Sequence, residues 1–161
     1  MKILRSVDRT TWLEVAERCP YATFFQTPLW HDLALATAPE QADATIGAVL
    51  PGGVRAVLPL LRARRLGPWR ELHSTAALCY GGIIADGPVS PAEAAQLYRA
   101  ACGWRTLRLR LTESPFAPMP APAGAVVQED STHILRLGVG FDALFAGFSK
   151  SQQAHYRRGL R

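Results

Sequence analysis

The tripeptide Tyr80-Gly81-Gly82 is the first feature of the sequence that could serve a binding site. Glycine has no side chain, so two adjacent glycines would allow the main chain to approach a bound substrate closely. A tight turn between two strands accounts for the same residues equally well. The sequence alone leaves both interpretations open.

A group of basic residues near the end of the sequence is the second candidate. Cationic side chains at short spacing can hold a phosphate, or the backbone of a tRNA, through charge-assisted hydrogen bonds. The alternative, which the composition favours, is a solvated surface. The residues are Lys150, His155, Arg157 and Arg158.

The remaining polar residues form no recognisable catalytic or metal-binding pattern. His31 and His73 are general-base candidates, but neither lies in an evident acid–base pair. Cys19, Cys79 and Cys102 are far apart and odd in number, which indicates buried thiols rather than disulfides or a zinc site. We therefore assign no catalytic residue and no metal site from the sequence.

The composition indicates a soluble, globular protein. A chain of 161 residues with 48% hydrophobic and 19% charged residues has the size of one hydrophobic core. The sequence contains no apolar run long enough for a membrane span or a signal peptide, so we expect a cytoplasmic protein. The net charge of +5 comes almost wholly from arginine, which suits an anionic substrate, a nucleotide or a tRNA partner.

Three helices are predicted to begin at capping residues. These residues are Thr11, Thr27 and Ser90, and a proline at the first helical position follows the last two. Two more helical patterns cover 141–148 and 149–161. The last pattern has no stop signal at its end, so we expect the chain to stop within an element of a longer protein.

Strands are predicted between and after the first helices. The segments 45–50 and 54–61 form a hairpin, in which Pro59 marks an edge or a bulge. Four prolines in 112–124 predict a connector without chemistry. The element order predicts a mixed α/β (α+β) fold with a mostly antiparallel central sheet flanked by helices. The other predicted strands are 1–6, 69–73, a short one through Ile83-Ile84, 104–111, 125–128 and 132–137.

Several local sequences, in this element order, resemble the FemAB-type and CelD/BcsL-type branches of the GNAT superfamily. The run from Cys19 to Trp30 resembles the "atpFqtp-W" segment near the start of those proteins. Leu58-Pro59-Leu60 is similar to their "lPl" strand, and Tyr80-Gly81-Gly82 to their "YGG" segment. The stretch 133–158 resembles the crossing into a second GNAT-like repeat.

The resemblance implies an acyl- or aminoacyltransferase built from two tandem GNAT-like domains. Residues 1–148 would be the N-terminal domain and 149–161 the start of a truncated second domain. The donor, acetyl-CoA, another acyl-CoA or an aminoacyl-tRNA, would be bound mainly by the missing domain, so this fragment alone would be inactive. The acceptor would be a small molecule or a cell-envelope precursor, for peptidoglycan or exopolysaccharide.

Two departures from the resemblance narrow what it implies. The glycines of 80–91 do not match the loop that holds the coenzyme A pyrophosphate in ordinary GNAT enzymes, so we expect no coenzyme A binding by this half. His31-Asp32 follows Trp30 where peptidoglycan-directed relatives tend to place a basic residue, which disfavours a nucleotide-linked muropeptide. A rival function from another class is a non-catalytic module whose arginine-rich surface binds an anionic partner such as nucleic acid.

Overall fold

The described residues fall into two compact units, Met1–Ala125 and Val126–Arg161. The first unit contains two four-stranded sheets and three α-helices, and the second contains two α-helices. The predicted α+β class with mostly antiparallel strands is confirmed, although the strands form two sheets rather than one central sheet. The computed structural model describes residues 1–64, 67–76, 79–116, 119, 121–129, 131–132, 134 and 137–160.

The three helices of the first unit are α1 (Arg9–Arg18), α2 (Pro28–Thr37) and α3 (Pro91–Ala101). The predicted caps of α2 and α3 are confirmed, because Thr27 and Ser90 each accept a hydrogen bond from a main-chain amide in the first turn. The predicted cap of α1 is wrong. Asp8 accepts the amide of Thr11 at 2.8 Å, so the helix begins earlier and Thr11 lies in its first turn.

The strands pair in the orders β1-β3-β4-β7 and β2-β5-β6-β8. Every pair is antiparallel except β6 with β8, which is parallel. A parallel pair needs a long crossover, and the chain between these two strands contains α3. The strands are β1 (Lys2–Leu4), β2 (Gln41–Asp43), β3 (Ile46–Val49), β4 (Arg55–Leu58), β5 (Leu61–Arg64), β6 (Arg70–His73), β7 (Ile84–Ala85) and β8 (Thr106–Arg110).

One long, bent hairpin joins the two sheets. Its inner half, β3 with β4, lies in the first sheet, and its outer half, β2 with β5, lies in the second. Asp43 stands opposite Leu61 and Ile46 opposite Leu58, so the same register continues on both sides of the break. The predicted hairpin is confirmed, and it extends further outward than the sequence indicated.

Pro59 lies at the break between the two halves of this hairpin. Proline has no amide hydrogen, so the ladder cannot continue through it. The neighbouring groups are satisfied locally, because the Leu60 amide donates to Thr45 Oγ1 at 3.2 Å and the Leu60 carbonyl accepts the Ala44 amide at 2.8 Å. The proline that we expected at an edge or a bulge thus marks the passage from one sheet to the other.

The first sheet is covered by a helix on each face. Val57 and Ile84 pack with Trp12 and Val15 of α1. Their neighbours Ala56, Leu58 and Ala85 point the other way, as alternation along a strand requires, and pack with α3. The α3 residues in this cluster are Ala94, Leu97, Tyr98 and Ala101.

Strand β8 contains a bulge. Arg70 stands opposite Thr106 and Glu71 opposite Arg108, which leaves Leu107 as an extra residue in the pairing. Leu107 is 58% exposed, whereas Leu109 packs against the core. The predicted inward alternation of this strand is therefore correct at Leu109 and wrong at Leu107.

The second unit contains α4 (Phe141–Ala146) and α5 (Lys150–Gly159), which confirms the two helical patterns predicted there. Ser149 caps α5 in a capping box with Gln152. The predicted strand 125–128 is not formed. Half of the predicted strand 132–137, residues 133, 135 and 136, lies outside the described residues. Within the described ranges, no helix combines the length and apolar character needed to cross a membrane.

Candidate functional site

A largely buried carboxyl group lies beside the two glycines of the Tyr80-Gly81-Gly82 segment. Glu113 follows β8 and forms a parallel bridge with Gly81, whose amide donates to the carbonyl of Thr112 at 2.7 Å. Glu113 Oε1 accepts the hydroxyl of Tyr98, on α3, at 2.8 Å. The carboxylate therefore lies between α3 and the glycine segment. We call Tyr98, Glu113, Gly81 and Gly82 the glutamate site.

The two glycines are required by close contacts on both sides. Gly82 has a φ of +82°, and a Cβ atom there would lie 2.6 Å from Glu113 Oε2. At Gly81 a Cβ atom would lie 2.6 Å from the main-chain oxygen of Ser74. The carbonyl of Gly81 accepts Nε2 of Gln26, a fully buried side chain, at 2.7 Å. The segment is thus fixed by the groups around it.

The environment of Glu113 raises the pKa of its carboxyl group. Burial raises the pKa of Glu113, and hydrogen bonds from the Tyr98 hydroxyl and the Met119 amide only partly oppose this. Burial, followed by the nearby charge of Glu113, raises the pKa of Tyr98, which keeps its hydroxyl a neutral donor. A carboxylate in this position can accept a proton from a bound amine or hydroxyl.

Tyr21 adds a second hydroxyl near the carboxylate. Its oxygen is buried and has no hydrogen-bond partner among the described residues. Burial raises the pKa of Tyr21, and the neighbouring Cys19 and Glu113 raise it further. The side chain of Cys19 and the main chain of Ala85 are within reach of this hydroxyl, although not at hydrogen-bond geometry, so its burial does not by itself indicate a ligand.

Aromatic side chains border the glycine segment. Phe25 contacts Trp30 and Tyr80 edge-on, with ring centroids 5.1 and 6.2 Å apart. The indole nitrogen of Trp30 is buried and, like the Tyr21 hydroxyl, lacks a hydrogen-bond partner in the described part of the chain. Phe24 closes the cluster and is 55% exposed. These contacts agree with a packing role for Phe25 and Trp30.

The two groups of residues that the sequence singles out belong to different units. Tyr80, Gly81 and Gly82 belong to the first unit, next to Glu113. The basic residues are exposed on α5 of the second unit, and the guanidinium of Arg157 lies 5.5 Å from the centre of the Phe145 ring. These exposed residues are Lys150, His155, Arg157 and Arg158.

The two histidines considered as general bases have neighbouring carboxylates. His31 is buried, lies 3.0 Å from Asp43 Oδ1 through Nε2, and contacts the Trp12 ring edge-on. Its contacts tie α2 to β2 and α1, which is a structural role. His73 Nε2 lies 3.7 Å from Glu71. The described residues contain no cluster of three or more His, Cys, Asp or Glu side chains that could hold a metal ion.

Glu113 is the residue that the sequence analysis overlooked, because the proline-rich segment 112–124 was interpreted as a connector only. The sequence contains one indication that Glu113 faces inward. Leu109, Leu111 and Glu113 alternate at a spacing of two, which continues the inward face of β8 into a carboxylate. An acidic residue in an inward position is costly unless it is paired or functional.

Comparison of the chain with protein-family models, with curated proteins and with solved structures finds no match. The resemblance to the GNAT superfamily therefore stays a prediction from the sequence.

Proposed function

We propose that this chain is a lobe of an acyl- or aminoacyltransferase and that the glutamate site holds the acceptor. The observation that carries the proposal is the Glu113 carboxyl group, whose pKa is raised by burial and which lies against Tyr98 and the close-packed backbone of Gly82. A carboxylate held in this way can serve as the proton acceptor for a small nucleophile.

In the proposed reaction an acceptor amine or hydroxyl attacks the carbonyl carbon of the donor. The new carbon–nitrogen or carbon–oxygen bond forms while the carbon–sulfur or carbon–oxygen bond to the donor breaks. Glu113 takes the proton that the acceptor loses and returns it to the leaving thiolate or alkoxide. Positioning supplies the rest of the rate enhancement, because such transfers need little covalent help from the protein.

The donor and the acceptor class follow from the sequence resemblance. The donor is an acyl-CoA or an aminoacyl-tRNA, bound mainly by a second GNAT-like domain. The acceptor is a small molecule or a precursor of peptidoglycan or exopolysaccharide, and the reaction takes place in the cytoplasm. The residues of the glutamate site all belong to the first unit.

The test is a transfer assay on the full product of the reading frame that encodes this chain. Release of free thiol from acetyl-CoA, and transfer from aminoacyl-tRNA, are measured with amine and hydroxyl acceptors. Glu113→Gln should lower kcat about 100-fold with little change in acceptor KM, the usual size of a general-base effect. Glu17→Gln, on an exposed carboxylate of α1, is the matched control. Equal rates for both variants, or no transfer from either donor class, would refute the proposal.

A second candidate function is a non-catalytic module that binds an anionic partner such as nucleic acid. The observation in its favour is the exposure of Lys150, Arg157 and Arg158 on α5. Retention on single-stranded nucleic acid should then fall steeply with salt, and Arg158→Gln should reduce the slope by about one phosphate contact. Retention that does not change with salt would exclude this function.

A further inference from the structure

A small cleft lies where the two sheets diverge, on the same side as the end of α3. Its volume is about 210 Å³. It has room for roughly seven water molecules, since each occupies about 30 Å³ in the liquid. The residues that line it come from β1, the bent hairpin, β6 and α3, and they are Arg5, Asp43, Ala44, Ile46, Arg62, Arg70, Leu72 and Ala101.

Three of these residues are arginines, and the sheet and helix geometry explains why they meet. Arg62 stands opposite Leu72 in the β5–β6 pair, and Arg70 lies two residues before Leu72, so both arginines project from one face of the second sheet. Arg5 follows β1 and reaches the cleft from the first sheet, where its Nη1 donates to the carbonyl of Ala100 at 2.7 Å.

The arginines are held in place yet keep most of their donors. Arg70 Nε donates to Thr106 Oγ1 at 3.3 Å, and Arg5 uses one donor on Ala100. A guanidinium has five N–H donors, so each keeps four. The side chain of Arg62 makes no hydrogen bond or ion pair with the other residues that the structure describes. The free donors and the positive charge are both suited to a bound anion.

The charge of the cleft selects among anions. Asp43 accepts hydrogen bonds through Oδ1 from His31 and from the Thr45 amide, so its carboxylate stays as the one negative group. Among the lining residues that the structure describes, three arginines and this aspartate give a net charge of +2. A phosphate monoester carries nearly two negative charges at neutral pH. The side formed by Ile46, Leu72 and Ala101 offers an apolar wall for its substituent.

We infer that this cleft binds the phosphate group of a small phosphate monoester, with Arg62 as the main ligand. The inference does not depend on the proposed transferase activity, because the cleft and the glutamate site have no residue in common.

The test is calorimetric titration of the whole chain with inorganic phosphate, monoethyl phosphate and acetate. Phosphate should bind in the millimolar range or tighter, monoethyl phosphate more tightly than phosphate, and acetate much more weakly than either. Binding of both phosphates should weaken from pH 7.5 to pH 5.5, since the second ionisation has a pKa of about 6. Acetate binding as tight as phosphate, or no heat with any phosphate, would overturn the inference.

Substitutions of Arg62 test whether phosphate binds in this cleft. Arg62→Gln removes no contact seen in the fold and should weaken phosphate binding about tenfold to hundredfold, the usual effect of losing a charge-assisted pair. Arg62→Lys keeps the charge but loses the planar arrangement of donors. It should bind phosphate more weakly than the unmodified chain and more tightly than Arg62→Gln. Arg108→Gln, on an exposed arginine of β8 outside the cleft, is the matched control and should bind as the unmodified chain does. Unchanged binding by Arg62→Gln, or equal loss in the control, would refute the assignment.

Discussion

Replacing Gly82 with alanine should displace the carboxylate of the glutamate site, and the effect can be separated from simple backbone strain. Gly82 and Gly53 have nearly the same backbone angle, with φ values of +82° and +85°. A Cβ atom at Gly53 meets nothing within 4 Å, whereas one at Gly82 lies 2.6 Å from Glu113 Oε2. Gly53→Ala therefore reports strain alone, and Gly82→Ala reports strain together with the collision.

The magnitudes follow from these two environments. A positive φ costs a residue with a side chain about 1–2 kcal/mol, and the reduced freedom of the unfolded chain returns about 0.4–1 kcal/mol. Gly53→Ala should thus lower the free energy of unfolding by about 1 kcal/mol. Overpacking adds about 1–3 kcal/mol, so Gly82→Ala should lower it by about 2–4 kcal/mol.

The assay is urea unfolding followed by tryptophan fluorescence. All four tryptophans lie in the first unit, so the signal reports the unit that contains both glycines. A double-mutant cycle of Gly82→Ala with Glu113→Ala isolates the collision, because the three atoms nearest to the new methyl group all belong to the Glu113 carboxylate. The double variant should regain about 1–2 kcal/mol relative to the sum of the single changes.

Gly81→Ala supplies the contrast for this cycle. Its Cβ would lie 2.6 Å from the main-chain oxygen of Ser74, which cannot move aside as a side chain can. Glu113→Ala should therefore not rescue it. Coupling below about 0.5 kcal/mol between Gly82 and Glu113, or equal losses for Gly82→Ala and Gly53→Ala, would show that the carboxylate does not lie over Gly82.

Three further predictions test other parts of the first unit. The pKa of Glu113 is raised above its ordinary 4.5, so the native state loses stability as the pH rises from 4.5 through the raised pKa. Glu113→Gln should therefore be more stable than the unmodified chain at pH 8. Urea unfolding at pH 4 and pH 8 checks whether this gain disappears in acid. Asp43 is partly buried, which raises its pKa, but hydrogen bonds from His31 and Thr45 lower it to a value well below the ordinary 3.8. The stabilisation by Asp43 is thus present at neutral pH and lost in acid. Because the side chain is 46% exposed to screening solvent, Asp43→Asn should lower the free energy of unfolding by only about 1 kcal/mol at pH 7, and by less at pH 2. A loss of stability that does not change with pH would contradict this assignment. Thr27→Ala should cost about 1 kcal/mol in the same urea assay through loss of the α2 cap, while Thr27→Ser should be nearly neutral, and equal losses would show that the hydroxyl does not cap.

Local signals in the sequence predicted the helices of the first unit well. Thr27 and Ser90 were recognisable as caps because proline follows each of them and fixes the first helical residue. At α1 the sequence predicts Thr11 as the cap, whereas Asp8, three residues earlier, caps the helix in the structure. Aspartate and threonine are both favoured at N-caps, so residue preference alone does not identify the cap.

Features that depend on pairing between distant segments were not predictable in the same way. The bulge at Leu107 exists only relative to β6, and the passage at Pro59 only relative to the second sheet. The glutamate site joins distant segments, because Glu113 after β8 accepts the hydroxyl of Tyr98 on α3 and pairs with the Gly81-Gly82 segment. The glycines stand out in the sequence because glycine is a recognisable residue type, whereas the neighbours that require them, Ser74 and Glu113, are distant in the chain.

The constant register of the bent hairpin restricts how this chain can change in length. Insertion of a single residue between Leu58 and Leu61 would move Arg62 to the opposite face of its strand, since side chains alternate sides at every step. The cleft would lose its unpaired cation and gain an apolar neighbour. We expect natural variation in length to occur at the hairpin tip, Pro51–Gly53, where two glycines face open space, and to spare the bend.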